Sequence, residues 1–123
     1  ISLNDYRGDV VFVNVWASWC PPCVAEMPTI QTLYENVGGQ DNIRFILLSM
    51  DEQHQKAINF MERKEFPMPY HFPASSIPTQ FRSQYLPTTY IISKEGRVVY
   101  KKEGIADYSS TNFAQWMIEL ARN

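Results

Sequence analysis

The chain holds two cysteines, Cys20 and Cys23, and both sit in the stretch WASWCPPC that runs from residue 16 to residue 23. A Cys-X-X-Cys pair can clip a metal, staple a fold or exchange electrons with other thiols. A zinc site takes about four ligands, usually as two paired halves, and this chain offers one pair with His54 and His71 far along the sequence. No metal is expected. A staple closing so short a loop removes little chain entropy, and a 123-residue chain that is 45% hydrophobic can bury a core without one. Redox chemistry is the reading that agrees with what flanks the pair.

Before it lies VVFVNVWA, residues 10 to 17, β-branched and aromatic with almost no polarity, which suits a central strand covered on both faces. After it, from Pro22 to about Val37, Cys23, Glu26, Ile30, Leu33 and Val37 form one helical stripe, closed by VGGQDN. Cys20 then stands at a helix N-terminus, where unpaired N–H groups and the macrodipole favour a thiolate. That makes Cys20 the nucleophile and Cys23, one turn on, the resolving thiol. Pro21 and Pro22 suit the first turn but bring no N–H of their own. Pro28, inside the helix, should kink it.

The remaining chain supplies the frame. IRFILLSM (43 to 50) reads as a second buried strand, EQHQKAINFMERKEF (52 to 66) as a second helix ended by Pro67 and Pro69. Strand, helix, strand implies a parallel pair with a right-handed crossover. Residues 70 to 86 read as an extended piece and a short helix. TTYIIS and RVVYKK flank KEG and form a hairpin with Gly96 at its turn. Phe113, Trp116, Met117, Leu120 and Ala121 have the spacing of an amphipathic closing helix. One α/β domain over 1–123 is expected, without repeats or linkers.

The net charge of −2 argues against a nucleic-acid or anionic-membrane partner. No apolar run nears the roughly 20 residues that cross a bilayer. The chain opens ISLNDYRGD without Met, so it reads as part of something longer.

VVFVNVWASWCPPCVAEMP, followed much later by LPTTYII and GRVVYKKEG, resembles the thioredoxin superfamily and, within it, the extracytoplasmic TlpA/ResA-like thiol-disulfide oxidoreductases. The resemblance implies a thioredoxin-like fold. Its βαβ and ββα halves share a mixed four-stranded sheet flanked by helices, with the family's extra segment between them at residues 51 to 83. It also implies a redox-active Cys20–Cys23 disulfide, no organic cofactor, and a substrate groove between Trp19 and the Leu86-Pro87 turn, with Pro87 as a cis-proline facing the disulfide. Pro87 opens a β run and so marks a turn or a strand start. Leu86 would pair with an extended substrate, as in strand addition.

Asn14 alternates with Phe12 and Trp16 on one strand face, at the place where thioredoxins proper carry a buried aspartate. Asparagine cannot ionise. Glu26, a charged residue on the core stripe, is the candidate substitute, since buried carboxylates carry raised pKa values or specific partners, and the family resemblance assigns it the proton of Cys23. Trp16 is expected in the core and Trp19 on an apolar rim. The function implied is reduction of protein disulfides outside the cytoplasm by a monomer recharged by a membrane or thioredoxin-like donor. A disulfide-forming oxidase, and a non-enzymatic module that senses redox state or binds a metal, are the alternatives.

Overall fold

The computed structural model describes residues 6–73 and 85–122. Its centre is strand β1 (Val10–Trp16), whose seven residues are all buried, as an uninterrupted β-branched and aromatic run requires. Helix α1 (Pro21–Val37) follows and returns the chain to β2 (Ile43–Ser49), which pairs with β1 in parallel from Val10↔Ile43 to Trp16↔Ser49. Gly38 ends α1 in the left-handed conformation, φ 58°, a geometry that favours glycine. Helix α2 (His54–Lys64) leads to a two-residue strand, β3 (Tyr70–His71), alongside β2. The hairpin β4 (Thr88–Ile92) and β5 (Val98–Glu103) then pairs antiparallel, β4 with β1, before helix α3 (Thr111–Arg122).

The sheet order is β3-β2-β1-β4-β5. It has five strands rather than the four expected, because Tyr70 and His71 pair with Leu47 and Leu48 at its edge. The segment between the halves is thus partly α2 and β3; the short helix expected towards residue 86 falls on 74–84, outside the described residues. Pro28 does not interrupt α1, which runs unbroken, although proline leaves the carbonyl of Val24 without its usual partner.

Alternation along β1 divides the core. Val10, Phe12 and Trp16 pack with Cys20, Cys23 and residues of all three helices, whereas Val11, Val13 and Val15 pack with Ile46, Leu48, Tyr90 and Ile92. The closing helix buries Ala114, Met117 and Ala121. Trp116, on the expected apolar stripe, lies at its margin: it is exposed, with its ring against Tyr100 and Phe113.

Phe12 is fully buried, with Phe45 and Tyr108 rings 5.0 and 5.4 Å away. Phe12→Ala is expected to lower the unfolding free energy by about 3–5 kcal/mol in urea titrations, whereas Val98→Ala, on the exposed edge strand, should change it by less than about 0.5 kcal/mol. Equal effects at the two positions would contradict the placement of the core.

Candidate functional site

The C-terminal end of β1 brings the site residues together. Trp16 is the strand's last residue and is fully buried; its carbonyl accepts from the backbone N–H of Met50 at 2.8 Å. The chain then leaves the sheet through Ala17, Ser18 and Trp19. Cys20 is the N-cap of α1, and its Sγ accepts from the N–H of Cys23 at 3.3 Å. Pro21 and Pro22 fill the next two positions, so Cys23 carries the first N–H in the helix. That N–H is spent on the sulfur of Cys20.

Cys20 and Cys23 are joined by a disulfide, with Cα atoms 5.3 Å apart. Both are buried, at 5% and 1% exposure, while the neighbouring Trp19 is 65% exposed. Pro21 and Pro22 are exposed as well. The Leu86–Pro87 peptide is cis. Register locates it: Thr88 lies opposite Val15, so Pro87 sits beside the end of β1 from which the cysteine loop departs. The carbonyl of Pro87 accepts from Gly104 N–H at 2.8 Å.

Glu26 lies one turn beyond Cys23 on the buried stripe of α1 and has no exposed surface. Such i, i+3 neighbours have Cβ atoms about 5–6 Å apart. Its two carboxyl oxygens are held from opposite sides. Asn14 Nδ2 donates to Oε1 at 2.9 Å, and the backbone N–H of Ala106 donates to Oε2 at 2.9 Å. The same Asn14 Nδ2 donates to Thr89 Oγ1 at 2.9 Å. Burial pushes the Glu26 pKa up to about 7 from an ordinary 4.5, against the two hydrogen bonds, which pull it down.

Each expected site residue is therefore placed. Cys20, Cys23, Trp19, Pro21, Pro22, Leu86 and Pro87 gather at one end of the sheet; Asn14 and Glu26 touch each other beneath it. Trp16 is core, and Pro28 lies on the exposed side of α1, away from the stripe. Thr89 and Ala106 were missed, since only the β1–β4 register and the loop before α3 bring them to Asn14 and Glu26. Asp51, buried and bonded to Ser18, was missed too; its one signal was an acid directly after a buried strand. Among the described residues no three His, Cys, Asp or Glu side chains are grouped to hold a metal.

A parallel βαβ half, an antiparallel ββα half and a Cys-X-X-Cys pair at the first helix's N-terminus define a thioredoxin-like fold built around a dithiol centre. The chain belongs to the AhpC/TSA family, whose model matches residues 1–101. It is 31% identical over 105 residues to the thiol-disulfide oxidoreductase ResA of Bacillus thuringiensis subsp. konkukian, an alignment that covers 85% of this chain and 60% of that protein. The chain thus spans less than two thirds of the curated relatives it matches. Among solved structures, a thioredoxin-family thiol:disulfide interchange protein from Chlorobium tepidum superposes with a TM-score of 0.80 at 20% identity, over 98% of this chain and 86% of that one. StoA from Bacillus subtilis gives 0.76 at 19%, over 89% and 83%. These two likenesses concern the fold.

The raised pKa of Glu26 has a definite sign in stability. Between about pH 4.5 and 7 the folded protein keeps a proton that the unfolded chain releases, so stability is greatest below 4.5 and declines as pH rises to about 7. In urea titrations across that range, the parent should lose roughly 3 kcal/mol relative to Glu26→Gln, whose amide does not titrate. A difference between the two proteins that stays constant with pH would show that the carboxyl is not held in its neutral form.

Proposed function

We propose that this chain, read as one thioredoxin-like domain over residues 1–123, is a thiol-disulfide oxidoreductase that reduces disulfides in proteins outside the cytoplasm. The observation that carries the reading is the placement of Cys20 as N-cap of α1, bonded to a buried Cys23 that stands one turn from buried Glu26. The similarity to ResA, a thiol-disulfide oxidoreductase, supports the chemistry; the compartment rests on the family resemblance.

In the reducing direction the thiolate of Cys20 attacks one sulfur of the substrate disulfide, forms a mixed disulfide and expels the other substrate sulfur as a thiolate. Cys23 then attacks the Cys20 sulfur and releases the second substrate thiolate. Substrate gains two electrons and two protons, and the domain ends as its Cys20–Cys23 disulfide. Glu26, whose pKa of about 7 lets it hold or release a proton near neutrality, takes the proton of Cys23 as that thiol becomes an attacking thiolate. Trp19, Pro21, Pro22, Leu86 and Pro87 border the docking groove, with Pro87 as the cis-proline of the resemblance and the backbone of Leu86 available to an extended substrate. Asn14 anchors Glu26, and Trp16 and Pro28 shape the surrounding strand and helix. No organic cofactor is needed; an external dithiol, membrane-bound or thioredoxin-like, returns the pair to its reduced form.

One feature favours the oxidase alternative. The hydrogen bond from Cys23 N–H to Cys20 Sγ stabilises a thiolate and with it the reduced form, which raises the potential.

Reduction of insulin in the presence of a small dithiol should vanish with Cys20→Ser, while Cys23→Ser should accumulate a mixed disulfide visible by mass. Release of product from Cys23→Ser as fast as from the parent would remove Cys23 from the resolving role. Equilibration of the pair in graded dithiol buffers is expected to give a potential near or below about −270 mV; a value near about −120 mV would reverse the proposed direction of electron flow.

A further inference from the structure

Resting on the thiol-disulfide reading, we propose that Asp51 is a positioning residue that latches the cysteine loop to the end of β2 and so sets how Trp19 and Cys20 meet a protein substrate. Asp51 is 4% exposed, an unusual place for an acid unless its oxygens are satisfied. They are satisfied by the loop itself. The backbone N–H of Ser18 donates to Oδ2 at 3.0 Å and the hydroxyl of Ser18 donates to Oδ1, so one residue grips both oxygens. Ser49 closes the arrangement, its hydroxyl donating to Oδ2 at 2.7 Å and accepting from the Asp51 N–H at 3.0 Å.

The latch grips the turn that carries the chain from β1 to α1. Between the end of β1 at Trp16 and the start of α1 at Pro21, Met50 N–H donates to Trp16 O, Cys20 N–H to Ala17 O, and Cys20 O accepts from Val24 N–H in the first turn of the helix. The second closes a turn around Ser18 and Trp19 but uses no polar group of Ser18 itself, and the residue after it is the exposed Trp19. Two hydrogen bonds to a carboxylate fix Ser18 in both distance and orientation, and charge-assisted bonds of this kind exceed neutral ones in strength. The sequence carries the device as a serine before Trp-Cys and an acid just past a buried strand, thirty-three positions later. The role of Asp51 is to hold the loop, with no contact to the reacting sulfurs claimed for it.

A latch that presents the loop to a bulky partner has a signature that general weakening of the fold lacks. Ser18→Ala removes a single hydroxyl from a half-buried loop position and serves beside Asp51→Asn should the latter fold poorly. Each variant should lower kcat/KM for insulin reduction about tenfold, the scale of one hydrogen bond to a charged group. The double variant should fall no further than the worse single one, and Ser18→Thr, which keeps the hydroxyl, should restore the parent rate. Reduction of a small aromatic disulfide, 5,5′-dithiobis(2-nitrobenzoate), should hold at the parent rate, since it can approach Cys20 without docking on the loop. Parallel losses on both substrates, multiplicative losses in the double variant, or parent-like insulin turnover in Ser18→Ala would each overturn the latch. A parent protein that leaves insulin intact would instead overturn the thiol-disulfide reading, and the latch with it.

Discussion

Everything near the cysteines is arranged around one carboxyl group that has no water to turn to. Glu26 is fully buried, and a buried acid either finds donors or gives up its charge. It does some of each. Asn14 from β1 and Ala106 from the loop ahead of α3 each supply one hydrogen bond, while its pKa rises to about 7. These contacts tie α1, β1 and the second half of the chain to the same point, and Asn14 extends the tie to Thr89 on β4. The two halves of the fold are thus joined by polar contacts in the same layer that holds the cysteines.

The helix above this carboxyl is prepared for a sulfur anion, but only partly. A helix N-terminus normally offers four free N–H groups. Here Pro21 and Pro22 remove two, the N–H of Cys20 goes to the carbonyl of Ala17, and that of Cys23 goes to Cys20 Sγ. The sulfur receives one directed donor and the diffuse field of the helix. That rigid, sparsely donating turn can present Cys20 beside an exposed Trp19 without making its thiolate overly stable.

Much of this was legible in the sequence because periodicity and burial are local signals. The run from Val10 to Trp16 announced a strand covered on both faces, and the stripe through Cys23, Glu26, Ile30, Leu33 and Val37 is buried throughout. Glu26 stood out because a charge on an apolar stripe breaks the pattern. What escaped depends on register or on long-range loops. Thr89 looks like any threonine in a strand until β4 is paired with β1 in antiparallel register; Tyr70 and His71 are too short a pair to declare a fifth strand. Trp116 obeys the helical period yet stays at the surface, because periodicity fixes direction and not depth.

The proposed direction of electron flow depends on which of two opposed effects is larger. Helix-end stabilisation of a thiolate amounts to about 0.3–1 kcal/mol when exposed and up to about 2 kcal/mol in buried geometry, and the two prolines place this turn towards the lower part of that range. Against it stands Glu26. Its pKa of about 7 against an ordinary 4.5 means that its own negative charge is disfavoured by roughly 3 kcal/mol in this layer. A thiolate on Cys23, one turn away, would enter the same poorly solvated layer, next to a carboxyl that is about half ionised at neutral pH. Since about 30 mV corresponds to roughly 1.4 kcal/mol for a two-electron couple, an imbalance of this size moves the pair by tens of millivolts. The proposed reducing direction therefore requires that this layer oppose a thiolate on Cys23 by more than the helix end favours one on Cys20, since a pair whose reduced state is disfavoured gives its electrons away.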